Sequence, residues 1–403
     1  MQTKTRGRQQ GPMLRAALWG LGCAAGMATG CTNDDIVVNV AGLDPDVKTL
    51  QVSVTVGGQP LGKPQTVSRT LSQFVMNLPM DQGGTIGLSL IGQVSSDCKL
   101  SEGSAQFSFT PGGLRPTTVQ VQMKTLPALL CSLPGVDLRA IWGSSPQDVW
   151  AVGANTAMLH WDDSGSGWTR VPATVSTYND VWGSGPNDVY AVAQFGAVEH
   201  WNGSTWSRMT LPAAGELHGV FGFGPTAVWF VGDNGAAVRW NGTSATATTT
   251  GVSSRLTSIW GAASNDIWAV GLSGVVLRWT GSSWARTQPS PTAGQSIHGV
   301  SGSGVADVWG FGISGVLPHF NGTAWLDGGD GLPMVASGND LWAASFSEVW
   351  GAASSANVVR WDGTRWDRVP IPSGITGNAL KLWGVGNHVW VVIQDGTLLR
   401  FKR

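Results

Sequence analysis

Two sets of polar residues in this 403-residue chain recur in register and could do chemistry. The first set is basic. His160, His200, Arg239, Arg278, His319, Arg360 and Arg400 each stand directly before an aromatic residue. Twelve residues earlier an acid appears in five of the seven copies: Asp148, Asp188, Asp266, Asp307 and Glu348, with Ala227 and His388 breaking the series. A sevenfold basic ring could hold anions. A group repeated in every copy, however, serves what every copy does. A guanidinium or imidazole can stack on an indole or pair with the recurring acid, so a structural role is expected.

The second set varies from copy to copy, which is where binding chemistry is expected to sit. One position carries Arg139, Asn179, His218, Thr257, His298, Asn339 and Leu380. The next carries Ala140, Asp180, Gly219, Ser258, Gly299, Asp340 and Lys381. Arg139, Asn179, Asp180, His218, His298, Asn339, Asp340 and Lys381 are therefore the candidate ligand-binding residues. Together they offer the donors and acceptors that a carbohydrate or a protein partner requires. His218, His298 and Asp180 fall in different copies and lack the close spacing of metal ligands, so no metal is expected. No glycine-rich phosphate loop opens a helix and no nucleophile elbow appears. No cofactor and no catalytic residue are assigned, although a carboxylate pair drawn from two copies would escape any reading of spacing.

These positions are set by repeated elements. Trp142, Trp182, Phe221, Trp260, Ser301, Trp342 and Trp383 recur at 40, 39, 39, 41, 41 and 41 residues. Three further aromatic series run in the same register, starting at Trp150, Trp161 and Trp168. Each copy divides into four short β-rich runs. The last two are joined by hairpin sequences such as Trp201-Asn-Gly-Ser-Thr-Trp206, where Asn-Gly favours a type I′ turn. Four strands in about 40 residues make a propeller blade, so residues 126–403 are expected to form a seven-bladed β-propeller of four-stranded blades. The seventh copy offers only three strands. Residues 124–132 are the candidate for its fourth, which would cover an otherwise open edge.

The phrase Ile-Trp-Gly-Ser-x-Pro-x-Asp-Val-Trp-Ala-Val-Gly at 141–153 resembles a repeat of bacterial secreted lipoproteins. Its layout is similar to tectonin propeller repeats and, more loosely, to Asp-box propellers. The resemblance covers residues 136–403. It implies a propeller, with sugar or lipopolysaccharide binding from the tectonin side and glycosidases among the Asp-box proteins.

The N-terminus reads as an address. Lys4, Arg6, Arg8 and Arg15 precede a short apolar run, and Ala28-Thr-Gly-Cys31 resembles a lipobox. Residues 1–30 are thus expected to be a signal peptide and Cys31 the lipidated residue, with 31–35 as a linker. Thr32 after the cysteine favours the outer membrane of a bacterial envelope. Residues 36–125 carry six strand-like runs, several alternating with period two, and are expected to form an immunoglobulin-like β-sandwich. Cys98 and Cys131 are the cysteines left for a disulfide, expected to tie the sandwich to the start of the propeller. The whole is all-β. Its 24 basic and 25 acidic side chains leave no surplus for a nucleic-acid partner. The expected function is a non-catalytic envelope binding module. A scaffold role and glycan cleavage stay open as alternatives.

Overall fold

The computed structural model describes residues 35–68, 73–77, 84–110, 117–162, 167–212, 214–287, 294–335 and 337–403. The expected signal peptide and Cys31 lie outside the described residues. The described chain is all-β, its helix confined to three-residue 3-10 turns. It divides into two compact units, residues up to 94 with 99–126, and residues 95–98 with 127–403.

In the first unit the expected runs are present as Asp35–Ala41, Thr49–Val56, Gln73–Asn77, Gly84–Ser95, Cys98–Phe109 and Thr117–Gln122. Two short strands, Gln59–Pro60 and Gln65–Ser68, were not legible as runs. Asp35–Ala41 sits between Gln73–Asn77, antiparallel, and Thr117–Gln122, parallel. Thr49–Val56 pairs antiparallel with Gly84–Ser95. Alternation sends Ile36, Val38, Leu50, Val52, Phe74, Leu88 and Val119 into one apolar core.

The second unit contains six consecutive four-stranded antiparallel sheets, each built from adjacent strands in chain order. We number them by copy. Their first strands are Leu138–Ser145, Tyr178–Gly185, Leu217–Gly222, Leu256–Ala263, Ile297–Gly304 and Gly338–Ser345. The seventh copy supplies Ala379–Val385, His388–Ile393 and Thr397–Lys402. Its last strand pairs antiparallel with Lys124–Ser132 through Leu129↔Arg400, Leu130↔Leu399, Cys131↔Leu398 and Ser132↔Thr397. Cys98 and Cys131 form a disulfide. Both lie in the second unit, because the hairpin tip Ser95–Cys98 belongs there, with Ser132 N donating to Asp97 O at 3.0 Å.

The register explains the aromatic series. Trp142 stands opposite Trp150, Trp150 opposite His160, and Trp161 opposite Trp168. Where the next copy carries a fourth-series indole, a sheet packs its second-series ring against that copy's third- and fourth-series rings. Trp229 lies 4.9 Å from Trp279 and 5.4 Å from Trp284, and Trp268 lies 5.1 Å from Phe320. The seventh sheet's Trp390 meets Trp161 at 5.7 Å and Trp168 at 5.4 Å in the first. Backbone pairing does not close the described sheets into a ring; side chains link the seventh to the first. First strands also pack on one another from each copy to the next, and Ala379–Val385 packs on Leu138–Ser145.

The recurrent Trp-Gly dipeptide has a direct cause. The first-series indole of one sheet leans on the glycine of the next. A Cβ on Gly222 would meet Trp182 at 2.8 Å, one on Gly302 would meet Trp260 at 2.8 Å, and one on Gly384 would meet Trp342 at 2.1 Å. Trp383 Nε1 donates to Gly143 O at 3.0 Å. The fifth copy has Ser301 in place of the aromatic, and the sixth has Ala343 in place of the glycine. With no ring to receive, the methyl fits. Ser301 Oγ accepts from Ala343 N at 3.1 Å.

Candidate functional site

The basic residues take the structural role expected of them. His160 stacks on Trp150 at 4.2 Å, His200 on Tyr190 at 4.5 Å and His319 on Trp309 at 3.7 Å. Arg278, Arg360 and Arg400 lie over Trp268, Trp350 and Trp390 at 4.9, 5.4 and 5.4 Å. His160, His200 and His319 also reach Asp148, Asp188 and Asp307 at 2.6, 2.7 and 2.8 Å. A serine bonds the other oxygen of each carboxylate: Ser144, Ser184 and Ser303. The order is Ser–Asp–His, with the acid between the other two. The imidazole therefore never touches the serine and cannot activate it as a base would. Burial alone would raise the Asp188 and Asp307 carboxyls. Hydrogen bonds from the histidine and serine outweigh it and hold both below the usual range.

The variable residues open the first strands, and most reach into the next sheet. Asn179 Nδ2 donates to Leu217 O at 2.8 Å, His298 Nδ1 to Gly338 O at 2.9 Å, and Asn339 Nδ2 to Ala379 O at 2.7 Å. Thr257 does the same to Ile297 O at 2.9 Å. Arg139 Nη1 donates to Asn179 Oδ1 at 2.9 Å. In the neighbouring position Asp180 Oδ2 accepts from Val220 N at 3.1 Å, Ser258 Oγ from Val300 N at 3.3 Å, and Asp340 Oδ2 from Leu382 N at 3.2 Å. These side chains clasp one sheet to the next.

Asp180, Asp340 and Lys381, from the second, sixth and seventh copies, come together. Lys381 Nζ lies 3.2 Å from Asp180 Oδ1 and 3.7 Å from Asp340 Oδ1. They border a cavity of about 110 Å³ lined by residues of all seven first strands. Burial pushes the Asp340 carboxyl up to about 6 against the pull of Lys381. Burial opposes the Lys381 charge, but the two carboxylates win and raise its pKa.

His218 departs from its series. Its Nε2 faces Asp233 Oδ1 at 3.1 Å, in the turn after the third sheet's second strand. Arg255 Nε donates to the same oxygen at 2.6 Å. Partial burial acts upward on Asp233, but Arg255 and His218 hold its carboxyl below the usual range. Glu216 completes the group: its Oε1 accepts from Asn179 Nδ2 at 2.8 Å. One ligand atom from each of Glu216, His218 and Asp233 lies within 4.8 Å of the others. Beside them, Gly196 packs against the carbonyls of Ala214 and Gly215. That places Phe195 at the edge of the cluster. It is 86% exposed and held at φ 58°. Asn155, Asn234, Ser273, Ser314 and Ser355 fill the matching positive-φ position elsewhere, so an aromatic here is the exception.

Sequence reading missed Phe195, Glu216, Asp233 and Arg255. The signal for Phe195 was present, as one large apolar residue in a row of Asn and Ser. Glu216 and Arg255 lie in the loops entering two first strands and Asp233 in a turn between them, and only the fold brings them together.

No family model and no curated protein matches the chain. Solved structures do. A structure of YCF48 bound to a D1 peptide is similar with a TM-score of 0.57 at 18% identity, covering 70% of this chain and 98% of its own. The WD40 repeats of RRP9 give 0.56 at 11%, covering 68% and 97%. Virginiamycin B lyase from Staphylococcus aureus gives 0.59 at 13%, covering 68% and 99%. At such identities the likeness concerns the fold alone. The repeats form a β-propeller.

Proposed function

We propose that this chain is a bacterial envelope lipoprotein whose seven-bladed propeller is a non-catalytic module that docks a protein partner. Seven blades rest on the seven first strands around one cavity and on Trp390 bridging the last sheet to the first. Residues 36–125 are the immunoglobulin-like spacer between lipid and propeller. The binding face carries the turns between second and third strands and the loops entering the first strands.

Phe195 carries this reading. Five other copies fill this positive-φ position with Asn or Ser, and a phenyl ring that is 86% exposed there gains little from folding. Aromatic side chains that protrude beside polar groups are the anchors of protein interfaces. Arg139, Asn179 and His218 border the same face. Among similar propellers, YCF48 has been solved with a peptide bound. A photo-crosslinking phenylalanine analogue at position 195 should give one discrete protein adduct in envelope preparations. Phe195→Ser should weaken binding of that partner by at least about tenfold without lowering the melting temperature. Unchanged affinity overturns the site. Binding on a glycan array that needs Asn179 and Arg139 would favour carbohydrate instead.

Anchoring has its own test. Cys31→Ser should move the protein from the membrane to the soluble fraction and abolish the mobility shift of lipid processing. A variant that still sediments with membranes overturns the lipobox reading.

A further inference from the structure

We infer that Glu216, His218 and Asp233 form a binding site for a divalent transition-metal ion, with Zn²⁺ the type it fits. The three residues come from different segments of the third copy: the loop entering the first strand, that strand, and the turn after the second strand. Their donor atoms lie within 4.8 Å of one another. The His218 imidazole already meets the Asp233 carboxylate, Nε2 to Oδ1 at 3.1 Å, a contact it would exchange for the ion. A tetrahedral ion with ligands near 2.0–2.1 Å separates its donors by about 3.3 Å, so donor atoms within 4.8 Å of one another need only small side-chain adjustments to close on it.

Three observations support a built site. Asn179 holds Glu216 through Oε1 and Arg255 holds Asp233 through Oδ1, which leaves Oε2 and Oδ2 for an ion. That is the outer-shell arrangement by which neighbours orient metal ligands. His218 turns to Asp233, whereas His298, Thr257 and Asn339 at the same repeat position bond the next sheet's carbonyl. Gly215 lets the entering loop approach, since a Cβ there would stand 2.9 Å from the Asp233 Cβ.

The donor set selects the ion. One imidazole and two carboxylates suit zinc and its first-row neighbours, while Ca²⁺ and Mg²⁺ prefer oxygen alone. Coordination through Nε2 places the imidazole proton on Nδ1. The Arg255 guanidinium leaves the cluster one negative charge, which a dication more than neutralises. The inference does not depend on the partner proposed above, because its test reads metal alone.

Titration of the full untagged chain with ZnCl₂ should show one site per chain by calorimetry, and Zn²⁺ should raise the melting temperature. Mg²⁺ and Ca²⁺ at equal concentration should leave it unchanged. Glu216→Gln and His218→Asn should each weaken Zn²⁺ at least tenfold, whereas His298→Asn should not. Co²⁺ should give visible absorption bands that His218→Asn removes. Absence of Zn²⁺ binding, equal binding by Ca²⁺, or loss in His298→Asn matching that in His218→Asn overturns the assignment. Should His218→Asn fail to fold, Glu216→Gln decides, since its carboxylate is partly exposed and its amide keeps the shape.

Discussion

A chain beginning at Val136 is expected to melt about 10 °C below one beginning at Lys124, although both contain every repeat. For a clean comparison the longer chain carries Cys131→Ser, so that neither presents an unpaired thiol. The difference is the strand Lys124–Ser132, which pairs with Thr397–Lys402 over Leu129–Ser132. Leu129, Leu130 and Cys131 are buried there. Burying two leucines contributes about 3–6 kcal/mol, and each main-chain hydrogen bond adds about 0.5–1.5 kcal/mol net. Without the strand, Thr397–Lys402 becomes a bare edge, which also invites association. The expected loss is therefore about 5 kcal/mol or more, read by thermal or urea unfolding. Two chains of equal stability would show that the last sheet needs no fourth strand.

What the sequence made legible follows from period and repetition. The propeller sheets were readable because four aromatic series kept one register, and the structure shows those series as cross-strand partners such as Trp142 and Trp150. The basic residues were readable for the same reason, since a feature present in every copy serves the copy. The variable residues were harder. Asn179, His298 and Asn339 looked like ligand donors because they are polar and differ, yet each bonds the following sheet's carbonyl. That bond is made across 38 to 40 residues and leaves no trace in local pattern. Glu199 is a similar case. It interrupts the apolar row Leu159, Val238, Leu277, Val359 and Leu399, and Tyr178 interrupts another. Only in three dimensions do the two meet, with Glu199 accepting from the Tyr178 and Thr174 hydroxyls in the core. Sequence periodicity locates the face of a strand, whereas the partner across a sheet boundary depends on closure of the whole assembly.

Lys381→Met should destabilise the protein by about 3–5 kcal/mol at pH 7, an effect far beyond a surface lysine. Lys381 stands between Asp180 and Asp340, whose side chains are only 6% exposed. Removing the ammonium leaves two buried carboxylates facing one another with no counter-charge. The loss should shrink on acidification, and the sign follows from Asp340. Its folded pKa of about 6 lies above the ordinary value of 3.8. The folded state thus binds more protons than the unfolded chain between those values. Its contribution to stability is complete below about pH 4 and is lost as pH rises through 6. In Lys381→Met the shift grows, because Asp180 still repels and the lysine no longer attracts, so the variant should approach wild type near pH 4–5. Adding Asp180→Asn and Asp340→Asn to Lys381→Met should recover most of the stability at pH 7. Each amide oxygen can still accept from Val220 N or Leu382 N, and no charge remains to be buried. Denaturant unfolding of the three proteins at pH 5 and pH 7 measures all of this. If Lys381→Met is as stable as wild type at pH 7, or its deficit is the same at both pH values, the two carboxylates are not held by the lysine.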